Sequence, residues 1–197
     1  MEDALARFRE MAIHAARNPA FVHHRWYVDY HLVIVERIAL ELCARYPEAD
    51  KTLVRALVWL HDYGKALDRV NERVATRTRG RAALLASGFP PDFVQHAIWC
   101  YERHETHDTI GDAPIEVQIV SSADGASHLV GPFYALYWYE NPQRPIAALL
   151  ADNQRKALLD WERKITLPEV RAAFADRHRH LLEQCGTLPD HFLPPTE

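Results

Sequence analysis

Four ionisable residues stand where apolar helix faces should run unbroken. In the stripe Val28, His31, Val35, Ile38, Leu42, spaced by three and four residues, His31 is the polar interruption. In "VWLHDYGKAL" the face of Leu53, Leu57 and Leu60 ends on His61, with Asp62 one step round it. In "APIEVQIVSSADGASHLV" Asp124 continues the line of Val117 and Val120. The small residues Ser121, Ser122, Ala123, Gly125 and Ala126 surround it and let another backbone come close. Singly, each residue has an ordinary explanation, a hydrogen-bonded core histidine or a capping carboxylate. Together they direct two imidazoles and two carboxylates from three helices at one core. Buried unpaired carboxylates are costly, and one divalent cation compensates all of them. Mixed imidazole and carboxylate donors suit Mn, Fe, Co, Ni or Zn, and a carboxylate-rich site also admits Mg.

Adjacent residues of a helix diverge by about 100° and do not face each other. His61 and Asp62 therefore chelate one ion only if it sits in the angle between them, and Gly64 allows the helix to end there. A fourth helix aligns Phe93, Ala97, Cys100 and His104, adding a histidine to the same set.

The elements that position these residues read as helices nearly throughout, because alternating β-branched runs are missing. Apolar periodicity and breakers place helices at 3–17, 20–46, 51–63, 79–87, 91–105, 114–130, 145–165 and 168–184. Asp50 is the expected N-cap before "KTLVRALVWL". The polar, basic stretch "DRVNERVATRTRG", residues 68–80, reads as a loop. The expected architecture is all-α: one domain over 1–185 and an irregular, Pro-rich tail over 186–197.

Composition narrows the function classes. With 197 residues the chain can bury a substantial core without staples. A net charge of −4 argues against nucleic acid polymers or anionic membranes as bulk partners. Cys43, Cys100 and Cys185 are far apart and form no CxxC pair, so neither a disulfide framework nor a zinc knuckle is indicated. The charged start "MEDALARFRE" lacks the apolar core of a signal peptide, and no apolar run spans a bilayer. A cytoplasmic location is the expectation.

His31, then "HD" at His61 and Asp62 followed by "GK", then Asp124 in "SSADGA", resembles the HD-domain superfamily of metal-dependent phosphohydrolases over roughly residues 20–130. The resemblance implies a helical bundle with the metal between its central helices and His31, His61, Asp62 and Asp124 as ligands. It also implies hydrolysis of phosphomonoesters, nucleotides, pyrophosphate linkages or cyclic phosphodiesters. Two-metal relatives carry further ligand histidines. "NERVATRTRGRAALL" contains none, and the later helix offers His104, with His96 and His107 less well placed. One divalent ion is therefore expected, with His104 available for substrate contact or acid–base work.

On this reading the substrate is a small phosphorylated molecule, most plausibly a nucleotide, attacked by a metal-activated water. Asp62 or Asp124 would accept a hydrogen bond from that water while ligating, with Asp62 taken as the catalytic carboxylate, and His104 is either the group that protonates the leaving oxygen or a structural histidine bonded to a backbone carbonyl. Lys65, four residues after His61, is placed to meet a phosphate, and Arg77 and Arg79 would clamp it if their loop folds over the metal. The aromatic segment "GPFYALYWYE" from Gly131 reads first as core or as a subunit interface that would make a homodimer, and second as a wall against a flat substrate group. His23 and His24 fall one to two turns before His31, beside the site or merely exposed. Two other readings stand beside the hydrolase: a di-iron oxygenase acting on a phosphonate or polyol, and a non-catalytic ligand-binding module.

Overall fold

In a computed structural model, residues 1–106, 110–187 and 193 are described, and all regular structure among them is helical. His107 and most of the expected tail lie outside the described residues. Helix α1 (Glu2–Ala16) leads through turns into a π-helical turn at Val28–Leu32 that continues as α2 (Val33–Cys43). The expected helix over 20–46 thus begins one to two turns late. The Asp50 carboxylate caps α3 (Lys51–Leu60), accepting from the Thr52 and Leu53 N–H groups at 2.8 and 3.1 Å.

The chain breaks after Leu60. Asp62, with φ −115° and ψ 14°, separates α3 from the short α4 (Tyr63–Leu67). The expected loop at 68–80 is instead largely helical, as α5 (Glu72–Ala75) and a π-helical turn at Thr76–Gly80 that runs into α6 (Arg81–Ala86). Its polar composition hid a packing face, since Ala75, Thr76 and Gly80 are buried. α7 (Pro91–His104) and α8 (Ile115–Ser127) follow. The aromatic segment forms α9 (Phe133–Glu140), then come α10 (Ile146–Leu159), a π-helical turn at Asp160–Lys164 and α11 (Pro168–Cys185).

α8 runs through the centre and packs against α2, α3 and α7, with Val117 and residues 119–127 all buried. Phe8, Val35, Val54, Trp59, Leu60, Ile119 and Val120 form the core around it. The small residues near Asp124 admit the turn Asp160–Lys164: a Cβ on Gly125 would lie 2.9 Å from Ile165 Cγ1 and 3.1 Å from Lys164 Cβ. The Ser121 hydroxyl donates to the Lys164 carbonyl at 3.1 Å, which fixes that turn against α8. Among the described residues, no helix is long and apolar enough to cross a membrane.

Candidate metal centre

Three helical segments meet at the base of one cavity of about 340 Å³. The π-helical turn before α2 presents His31, the break between α3 and α4 presents His61 and Asp62, and the last turn of α8 presents Asp124. Because the helix stops at Asp62, the adjacent pair converges: His61 Nε2 lies 3.5 Å from Asp62 Oδ2. His31 Nε2 lies 3.7 Å from Asp62 Oδ2 and 3.6 Å from Asp124 Oδ1, and His61 Nε2 lies 3.9 Å from Asp124 Oδ1. These separations are too long for hydrogen bonds. They match the edges between donors sharing one ion at about 2.1 Å, which run from about 3.0 to 4.2 Å. The buried His61 Nε2 makes no hydrogen bond at all.

The remaining ring nitrogens orient the donors. His61 Nδ1–H donates to the Val58 carbonyl at 2.7 Å, and His31 Nδ1 meets the Ser127 hydroxyl at 3.0 Å. Both Nε2 atoms thereby face the cavity, as metal-ligating imidazoles do. Lys65 Nζ donates to Asp62 Oδ2 at 2.7 Å, and the Tyr27 hydroxyl donates to the same oxygen. Lys164 Nζ donates to Asp124 Oδ2 at 2.6 Å, leaving Oδ1 for the centre.

Charge states follow from these partners. Burial pushes His31 down to about 4, against the pull of Asp62 and Asp124, so its imidazole is neutral near pH 7. Burial alone would raise both aspartates. Lys65 outweighs it at Asp62 and Lys164 at Asp124, holding both well below the usual carboxylate range. Neutral imidazoles and ionised carboxylates are the forms that bind a divalent cation. The chemistry of the donor set and the orphaned His61 nitrogen both fit such an ion.

The other expected residues divide. His104 is buried beside His61, their ring centroids 5.7 Å apart, and Lys65 lines the cavity. Arg77 and Arg79 are not brought there. Arg77 faces Glu102 at 3.8 Å and lines a separate groove with Thr78 and Arg81, and Arg79 is exposed. The helical rather than looped course of 72–80 decides this, because it turns Arg73 towards the cavity and Arg77 one turn beyond it; Arg69 also lines the cavity. His23 is on the rim, bonded to Glu140 at 2.6 Å, while His24 bonds the Phe21 carbonyl and His96 is exposed.

Among the cavity residues not singled out in the sequence are His128, Lys156 and Lys164, whereas Phe133 belongs to the aromatic segment read as a possible wall. His128 was legible, one helical turn after Asp124 on the same face. The lysines were not, since Lys164 reaches Asp124 only through the packing of a turn 40 residues away.

The HD domain family model matches residues 28–128, just over half of the chain, and that span holds His31, His61, Asp62 and Asp124. No curated protein and no solved structure matches. With the family's His, His-Asp and Asp residues gathered at one cavity, this chain belongs to the HD-domain family.

Proposed function

We propose that this protein is a metal-dependent phosphohydrolase acting on a small phosphorylated molecule, with a nucleotide as the favoured class. The observation that carries it is the pairing of a divalent-cation donor set with a cationic rim: Lys65, Arg69, Arg73, Lys156 and Lys164 line the cavity that His31, His61, Asp62 and Asp124 close at its base.

A divalent cation held by those four residues would supply Lewis acidity and an activated water near neutral pH. The chain's own groups do the rest. Lys65 and Lys164 anchor the two carboxylates and add positive charge where a phosphoryl group would dock. Arg69 and Arg73 stand at the cavity mouth, and Arg73 is held by Glu105 at 2.9 Å. His104 is the residue to protonate the leaving oxygen, with Glu105 Oε1 3.4 Å from its Nδ1. Phe133, Trp26 and Tyr137 form the apolar side of the cavity, a surface suited to a nucleobase.

The test is phosphate release from a panel of nucleotides and sugar phosphates. Metal-stripped protein would be reloaded in turn with Mn, Co, Ni, Mg, Fe or Zn, with Asp124→Ala as the blank. Metal-dependent release that disappears in the blank supports the reading. No release from any substrate with any metal, in a protein that binds the ion, overturns it.

A further inference from the structure

We propose that His128 is a fifth protein ligand of the metal centre, positioned by Asp160, a residue beyond the matched family span. This inference rests on the metal centre described above, and it adds to it a third imidazole.

His128 caps the C-terminal end of α8, one turn after Asp124, and is 6% exposed. Its Nε2 lies 3.5 Å from Asp124 Oδ1. That is too long for a hydrogen bond and the right length for two donors on one ion. His31, Asp124 and His128 each offer an atom within 4.8 Å of the other two, a triad that shares His31 with the neighbouring set of His31, His61 and Asp62. The His31 and His128 rings are nearly parallel, 7° apart with centroids at 5.1 Å, and Phe133 packs against both, at 4.1 Å from His128 and 6.1 Å from His31. Neither ring can turn without displacing the other or the phenyl group.

The opposite nitrogen decides the tautomer. His128 Nδ1 lies 2.8 Å from Asp160 Oδ2. Both Asp160 oxygens also accept from Lys156 Nζ, so the carboxylate is the acceptor in this pair and Nδ1 carries the proton. Lys156 Nζ also approaches Nδ1, at 3.2 Å, but its shorter contacts are to the two Asp160 oxygens, at 2.6 and 2.7 Å. The Nε2 lone pair is left facing the centre. A carboxylate that accepts from a histidine whose other nitrogen faces an ion is the arrangement that orients metal-binding imidazoles.

The π-helical turn at Asp160–Lys164 has a clear place in this scheme. It presents Asp160 to His128 and Lys164 to Asp124 from one short segment. Single π turns inside helices are frequent at functional sites. Three imidazoles and two carboxylates favour a borderline ion such as Mn, Fe, Co or Zn over Mg.

The test is proton NMR of the Co²⁺-loaded protein, with Co²⁺ and Mg²⁺ affinities from calorimetry. An imidazole bound through Nε2 keeps an exchangeable Nδ1–H, whose resonance is strongly shifted by Co²⁺ and lost in D₂O. The expected result is three such signals in the wild type, two in His128→Gln and three in His104→Gln. Asp160→Asn should keep the fold and weaken Co²⁺ binding by about 10- to 100-fold. Two signals in the wild type, or three in a folded His128→Gln, overturns the proposal while leaving the four-residue centre standing. Because the wild-type count needs no variant, a misfolded His128→Gln does not remove the test. Failure of the wild type to bind Co²⁺ would overturn the metal centre itself, and this inference with it.

Discussion

Gly64 is pressed against Thr76. Its N–H donates to the Thr76 hydroxyl at 2.9 Å, and a Cβ at this position would lie 2.1 Å from the Glu72 carbonyl oxygen and 2.4 Å from the Thr76 backbone nitrogen. The break that lets His61 and Asp62 converge is thus fixed by the segment that carries Arg73. Gly64→Ala must push that backbone away, at a cost of about 3 kcal/mol. The expected result is a clearly lower urea midpoint together with loss of metal affinity. A variant with wild-type midpoint and affinity would show that the contact does not set the site.

Arg73 and Arg77 stand one helical turn apart, and the fold gives them different tasks. Replacing Arg69 and Arg73 together by Ala should raise KM for phosphorylated substrates by about tenfold, equivalent to about 1.4 kcal/mol. Arg77→Ala, in its separate groove opposite Glu102, should change KM by less than about twofold, as surface ion pairs contribute little. Steady-state kinetics of both variants distinguishes the two positions, and a larger effect from Arg77 would reverse their assignment.

Ion binding should stabilise the folded state by mass action. Wild-type protein saturated with Mn²⁺ or Co²⁺ is expected to melt several degrees above the chelator-treated form. Asp124→Ala should lose most of that shift, since it removes a donor and strands Lys164 without its 2.6 Å partner. An undiminished metal-dependent shift in Asp124→Ala would mean that the ion binds elsewhere.

The metal-free protein should lose stability as pH falls from about 6.5 towards 4. His31 is held neutral by burial in the folded state down to about 4, whereas in the unfolded chain it takes up a proton near 6.5. The unfolded state therefore binds more protons across that window, and stability rises with pH there. The contribution is on the order of 2–3 kcal/mol. Asp62 and Asp124, depressed below the usual range, extend the loss to lower pH in the same direction. Denaturant unfolding of chelator-treated protein at pH 7.0 and 5.0 measures it. Equal stability at both values would mean that His31 is not held neutral.

His31, His61, Asp62 and Asp124 were legible because the helical period assigns each residue a direction, and a polar residue in an apolar stripe shows as a local violation. The same period put His104 on a buried face and Asp50 at a helix start. Composition misled at 68–80, where Ala75, Thr76 and Gly80 supply a packing face that polarity scales read as solvent-exposed loop.

By itself, the sequence determined the all-helical class, the candidate donor residues and the turn at which each could act, since these depend on spacing along one chain. Tertiary packing decided that the His-Asp pair converges on one point, that Arg73 rather than Arg77 reaches the cavity, and that Lys164 meets Asp124 and Asp160 meets His128. The physical reason is that hydrogen bonds such as Lys164 to Asp124 and His128 to Asp160 join residues 40 and 32 positions apart. No periodicity encodes such contacts; they exist only once Gly125 and its small neighbours let the turn at Asp160–Lys164 settle against α8.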